Sequence, residues 1–169
     1  MGTDLDVVVE ANVGRLVEDR LFSSGSLQLV PKDLVLLIAS YCDWWYALPI
    51  DGDIGRNYRL FGLLAGVRGL GKRGYKVSGG RRGLPDLPSE EAREKADDGW
   101  CTWITLDEAD PSTNDELRRQ FFGAWPTFGG STKLGRQPLS ADWLELVDTA
   151  AQFHQKYRFP IRFVLVFNS

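Results

Sequence analysis

The sequence predicts a single α+β domain, a mainly antiparallel sheet with an N-terminal hairpin and a C-terminal strand, packed by about three to four helices. Three observations carry this. The chain has 169 residues of which 43% are hydrophobic, enough for one core and short of two. Its two ends carry strand-like patterns, while two internal stretches carry helical stripes. No internal repeat and no long linker divides it, so residues 1–169 read as one domain.

Taken in order, Leu5, Val7 and Val9 fall on one face of a period-two pattern, as in a half-buried strand. Asn12-Val13-Gly14 then offers turn chemistry, so residues 4–20 read as a hairpin returning through Arg15 to Arg20. Ser23 to Ser26 make a second turn, followed by the apolar Leu27 to Val30. From Leu34 to Leu48 apolar residues are nearly continuous, a pattern whose periodicity does not separate buried strand from buried helix. Asp33–Ala39 is assigned to helix and Trp44-Trp45-Tyr46 to extended chain.

The clearest helix runs from Arg56 to Arg68, with Tyr58, Phe61, Leu64 and Ala65 on one stripe, entered from Asp53 or Gly55 and ended by Gly69. Residues 69–83 hold six glycines and are costly to keep in regular structure. The stretch 69–88 therefore reads as a flexible basic loop. Ser89-Glu90-Glu91 opens a short helix with acids at its positive end. Gly99 precedes a strand from Trp100 to Leu106, Asn114 to Phe122 is a short helix, and residues 123–135 form a loop. Ser140 caps a longer helix with the stripe Trp143, Val147, Ala150/Ala151 and His154. Pro160 breaks it, and Ile161 to Phe167 is apolar on both faces, which suits a central strand.

Composition narrows the chemistry. The one histidine, His154, excludes two-histidine phosphoesterases, His-metal nucleases and zinc deaminases. Cys42 and Cys101, far apart in sequence, make neither a disulfide framework nor a zinc site with His154, and read as reduced buried thiols. Asp51-Gly52-Asp53 lacks the remaining ligands of a calcium loop and reads as a turn. No cofactor or metal is expected, and binding is favoured over catalysis. The longest aliphatic run, Leu34 to Ala39, falls far short of the ~20 residues of a bilayer span. The opening Met1 to Asp6 carries neither a secretory nor a myristoylation pattern.

Charge distribution is the informative feature. Residues 1–53 carry a net charge of −6 and residues 86–169 a net of −5. Between them lie Arg56, Arg59, Arg68, Lys72, Arg73, Lys76, Arg81 and Arg82 with no acidic side chain. Such an island seeks anions, and six of its eight cations are arginines, whose planar fork matches phosphate. Gly69-Leu70-Gly71-Lys72-Arg73-Gly74 has the spacing of a dinucleotide fingerprint, but it follows a helix rather than a strand, so that reading fails. No Ser or Thr follows Lys72, so it is no P-loop. What remains is a Gly-rich basic loop whose N–H groups can wrap an anion. Trp44 or Trp45 is the stacking candidate, because neighbouring side chains in extended chain point to opposite faces. Tyr58 is grouped with them, although its place on the helical stripe also fits the core. Duplex nucleic acid is disfavoured by the net charge of −3 and pI of about 5.2.

The block Asp53-Ile54-Gly55-Arg56-Asn57-Tyr58-Arg59-Leu60-Phe61-Gly62-Leu63-Leu64-Ala65-Gly66-Val67-Arg68 resembles a family of small uncharacterised bacteriophage and prophage proteins. Their shared stretch reads Arg, Asn or Asp, Tyr, any, Leu-Phe, two any, Leu-Ala, any, Val-Arg. The likeness continues at Gly83-Leu84-Pro85-Asp86, at Trp103-Ile104-Thr105-Leu106 with Glu108, and at Ile161 to Asn168, covering about half the chain in separate blocks. Family members often carry a His-Ser pair before the Trp-x-Thr-Leu strand, where this chain has Gly99-Trp100-Cys101-Thr102. The resemblance implies phage origin and an address in the host cytoplasm.

The function expected is uptake of a nucleotide-derived immune signal, of cyclic dinucleotide or cyclic ADP-ribose type, without cleavage. Arg56, Arg59 and Arg68 would hold phosphates, Arg81 and Arg82 would close over them, and Trp44 or Trp45 would stack a base. A homo-oligomer suits such a ligand, since a pocket shared by two copies buries it more fully. The alternatives are an inhibitor docking its basic loop on a host defence protein, and a carboxylate-metal phosphodiesterase using Asp51, Asp53 and Asp86.

Overall fold

The computed structural model describes residues 4–12, 45–66, 77–79, 81–97, 99–122 and 140–168. Among these residues four strands form one antiparallel sheet: β1 (Asp4–Asn12), β2 (Trp45–Ala47), β3 (Trp100–Thr105) and β4 (Ile161–Asn168), in the order β2-β1-β4-β3. The two-faced apolar run places β4 in the interior of the sheet. It is buried from Ile161 to Phe167 and pairs with β1 from Asp4↔Asn168 to Ala11↔Ile161, and with β3 from Trp100↔Phe167 to Thr105↔Arg162.

The other edge of β1 is also filled. Beyond the short β2, Leu48 N–H donates to Val9 O and Val7 N–H to Gly52 O. The approach at Gly52 is so close that a Cβ there would lie 1.8 Å from Val7 O. The return arm of the hairpin expected over 4–20 and the helix expected at Asp33–Ala39 lie outside the described residues.

Five helices are present among the described residues: α1 (Tyr58–Ala65), α2 (Glu90–Ala96), α3 (Leu106–Ala109), α4 (Asp115–Phe122) and α5 (Ala141–Tyr157). The first is shorter than its stripe predicts. Asn57 caps it by accepting from Leu60 N–H, and Gly66 ends it in the left-handed conformation, with φ 73°. The strand expected to reach Leu106 stops at Thr105, where Thr105 and Glu108 form a reciprocal capping box that starts α3.

The two faces of the sheet pack differently. One carries Leu5, Val7, Val9, Phe163, Leu165 and Ile104 against Leu60, Phe61 and Leu64 of α1 and Trp143 and Val147 of α5. The other carries Val8, Cys101, Val164 and Val166 beneath Ala92 and Ala96 of α2. No helix among the described residues is long and apolar enough to cross a membrane.

Candidate anion-binding site

Strand register places the charged and aromatic residues at two opposite ends of the sheet. At one end β1 begins, β4 finishes and β3 begins. Here the chain before α1 delivers Arg56, whose Nε donates to Asp4 Oδ1 at 2.7 Å. Both side chains are more than half exposed, at 61% and 54%. The Arg56 hydrogen bond holds the Asp4 carboxyl below its usual value. Tyr58 and Arg59 follow on the first turn of α1, which carries no acidic residue; both are exposed.

From Tyr58 a chain of edge-to-face rings crosses the end of the sheet. Tyr58 meets Phe61 at 5.8 Å, Phe61 meets Phe167 at 5.5 Å, and Phe167 meets Trp100 at 5.1 Å. The Arg81 guanidinium lies over the Trp100 ring, 5.6 Å from its centroid, within cation–π range. A continuous row of ring contacts thus runs from Tyr58, next in sequence to Arg59 and two residues from Arg56, to Arg81.

The neighbouring Arg82 is committed elsewhere. Its Nη2 donates to Glu108 Oε1 at 2.7 Å and its Nη1 to Oε2 at 2.9 Å, a two-point carboxylate pair. Nη1 also reaches Trp103 O, Nε reaches Ser78 O, and the Arg82 backbone N–H donates to Thr102 Oγ1. A guanidinium so occupied acts as a strut fastening residues 81–83 along the edge strand β3, and a phosphate would have to displace Glu108 to reach it. Burial pushes the Glu108 carboxyl up, but donors from Arg82 and Thr105 outweigh it, and the group stays below its ordinary 4.5.

A pH dependence follows. Because Glu108 titrates lower folded than unfolded, the pair contributes fully above pH 4.5, and that contribution fades as pH falls through the lowered value. Glu108→Gln is expected to cost about 1 kcal/mol near pH 7. The difference from wild type should shrink in urea unfolding at pH 3, and a difference independent of pH would contradict the assignment.

Trp45 lies at the other end of the sheet, in β2 opposite Asn12. Arg162 stacks on its ring at 3.8 Å, and the same arginine is paired with the fully buried Glu10. Arg162 Nη1 and Nη2 donate to Asp86 O and Leu87 O, while Ser89 N–H donates to Glu10 Oε1. Burial lowers the Arg162 pKa, with Glu10 opposing it. Trp45 therefore covers an internal ion pair, and the structure does not bring it to the Arg56–Arg81 end. Trp44, Arg68 and the glycine-rich residues 69–76 lie outside the described residues.

Of the carboxylates weighed for metal chemistry, Asp51 and Asp53 line an open cleft of about 280 Å³ with Asp142 and Glu145, whereas Asp86 does not. Asp51 accepts from Asp53 N–H, and Asp53 from Gly55 N–H. Among the described residues no three His, Cys, Asp or Glu side chains could hold a metal ion together. Cys101 lies under α2, where burial pushes its thiol up and Arg81 partly opposes that shift. His154 Nδ1 is 2.6 Å from Phe159 O at the end of α5.

In the sequence Trp100 reads as a strand residue and Asp4 as the start of a hairpin. The ring contact of Trp100 depends on the Trp100↔Phe167 register, and the ion pair of Asp4 on the chain reversal that brings Arg56 back to it. Local spacing carries no signal for either. Comparison of the chain with family models, with curated proteins and with solved structures gave no match to any of them.

Proposed function

We propose that this protein binds a small nucleotide-derived anion at the Arg56–Arg81 end of its sheet and holds it without cleaving it. The observation that carries this reading is that exposed Arg56, Tyr58, Arg59 and Arg81 all belong to segments at this end of the sheet, where a chain of rings runs from Tyr58 to Trp100 beneath Arg81. Guanidinium groups supply bidentate donors for phosphate, and aromatic faces supply stacking for a base. The resemblance of the Arg56–Arg68 block to bacteriophage proteins suggests the purpose: withdrawal of a host signalling nucleotide, of cyclic dinucleotide or cyclic ADP-ribose type, inside the infected cell.

Incubation with such nucleotides, removal of the unbound fraction and brief heating tests it. The expected result is release of the nucleotide unchanged, identified by mass. Release of a converted product would make the protein an enzyme and overturn the proposal. Absence of any nucleotide from the released fraction would overturn it in favour of docking on a host protein.

A further inference from the structure

Within the chain of rings only two members reach the surface. Phe61 and Phe167 are closed into the core, whereas Tyr58 is 40% exposed and Trp100 is half-buried. These two are held differently. Tyr58 sits on the first turn of α1 and presents an edge to Phe61. Trp100 opens an edge strand, and its ring is braced against Phe167. The backbone just before it is pressed close to β4, since a Cβ on Gly99 would lie 2.8 Å from Val166 Cγ1 and 2.9 Å from Asn168 Oδ1. A large ring so braced is pre-organised, and little entropy is lost when a second flat group settles on it.

Such a group is already there. The Arg81 guanidinium over Trp100 is planar and delocalised, smaller than a nucleobase, and lies within cation–π range of the ring. Its backbone is fastened one residue later by the Arg82–Glu108 strut, so the side chain can leave the ring while its base stays fixed. Resting on the binding reading above, we infer that Trp100 is the platform for the ligand's base and that Arg81 is its placeholder. The base takes over the ring, and Arg81 swings from the π face to the ligand's phosphate. The site would then select base-bearing nucleotides over bare phosphates, with Trp100 as the residue that sets the selectivity.

Calorimetry with two probes, ADP and inorganic pyrophosphate, tests this on wild type, Trp100→Leu and Trp100→Phe. Trp100→Leu should weaken ADP binding about tenfold while leaving pyrophosphate binding within about twofold, and Trp100→Phe should keep most of the ADP affinity. Equal losses for both probes, or no loss for either, would overturn the platform. So would a wild-type protein that binds both probes equally or neither; the heat-release experiment then decides the binding reading separately. Should Trp100→Leu fail to fold, the wild-type indole N–H resonance that vanishes in Trp100→Phe serves instead. It should shift with ADP and stay in place with pyrophosphate, and an unmoved signal would overturn the inference.

Discussion

Glu10→Ala is expected to destabilise the fold by about 3–5 kcal/mol, the cost of leaving a buried charge without its partner. Glu10 is fully buried and Arg162 nearly so, at 0% and 6% side-chain exposure. With the carboxylate gone, the Arg162 guanidinium keeps, among the described residues, the carbonyls of Asp86 and Leu87, the face of Trp45 and the field of the Asp86 carboxylate. Ser89 N–H, which donates to Glu10 Oε1 at 2.6 Å, loses its acceptor just where α2 begins. The mutation therefore strikes the sheet and the segment crossing it together. Replacing both partners with apolar residues, Glu10→Leu with Arg162→Met, should recover much of the loss, since no charge then remains buried. Urea unfolding of the single and double variants checks this. A single-variant cost below about 1 kcal/mol would mean that the pair is not buried as described.

The triple variant Arg56→Gln, Arg59→Gln and Arg81→Gln should lower the affinity for the released nucleotide by about 100-fold or more, because hydrogen bonds to charged groups are each worth about 1.5–3 kcal/mol. Its stability should change little, since all three side chains are exposed and surface charges contribute little to folding. The wild-type affinity should also weaken as salt is raised. Arg82→Gln makes the contrast. Its target is the Glu108 pair, so it should lower stability before it lowers affinity. A triple variant that retains full nucleotide uptake would remove the basis of the proposed function.

Much of the architecture is legible residue by residue. The two-faced apolar run of Ile161 to Phe167 predicts an interior strand, and β4 is flanked by β1 and β3. Ser89, Asn114 and Ser140 announce helices because each can accept from an N–H three residues on, and each does so. The same chemistry at Asn57, and the Thr105-Leu106-Asp107-Glu108 pattern of a capping box, were equally available in the sequence. Stronger cues compete with them: the long stripe from Arg56 to Arg68, and the strand pattern running from Trp100 to Leu106. A stripe shows which face is buried, whereas a cap shows where the helix stops, and the cap sets the ends of α1.

The candidate site divides along the same line. That residues 54–85 form a cationic island is a matter of composition, readable without any fold. Which of its members are tied into the fold is not, because adjacent side chains of like chemistry receive their partners from distant chain. Arg81 and Arg82 are neighbours, yet one lies over Trp100 while the other is bound by Glu108, 26 residues away. Trp45 meets Arg162, whose own carboxylate partner stands 152 positions off. Alternation assigns a side chain to a face of the sheet, but strand order and register choose what it meets there. Those follow from how the whole core packs, and no local window of residues contains that information.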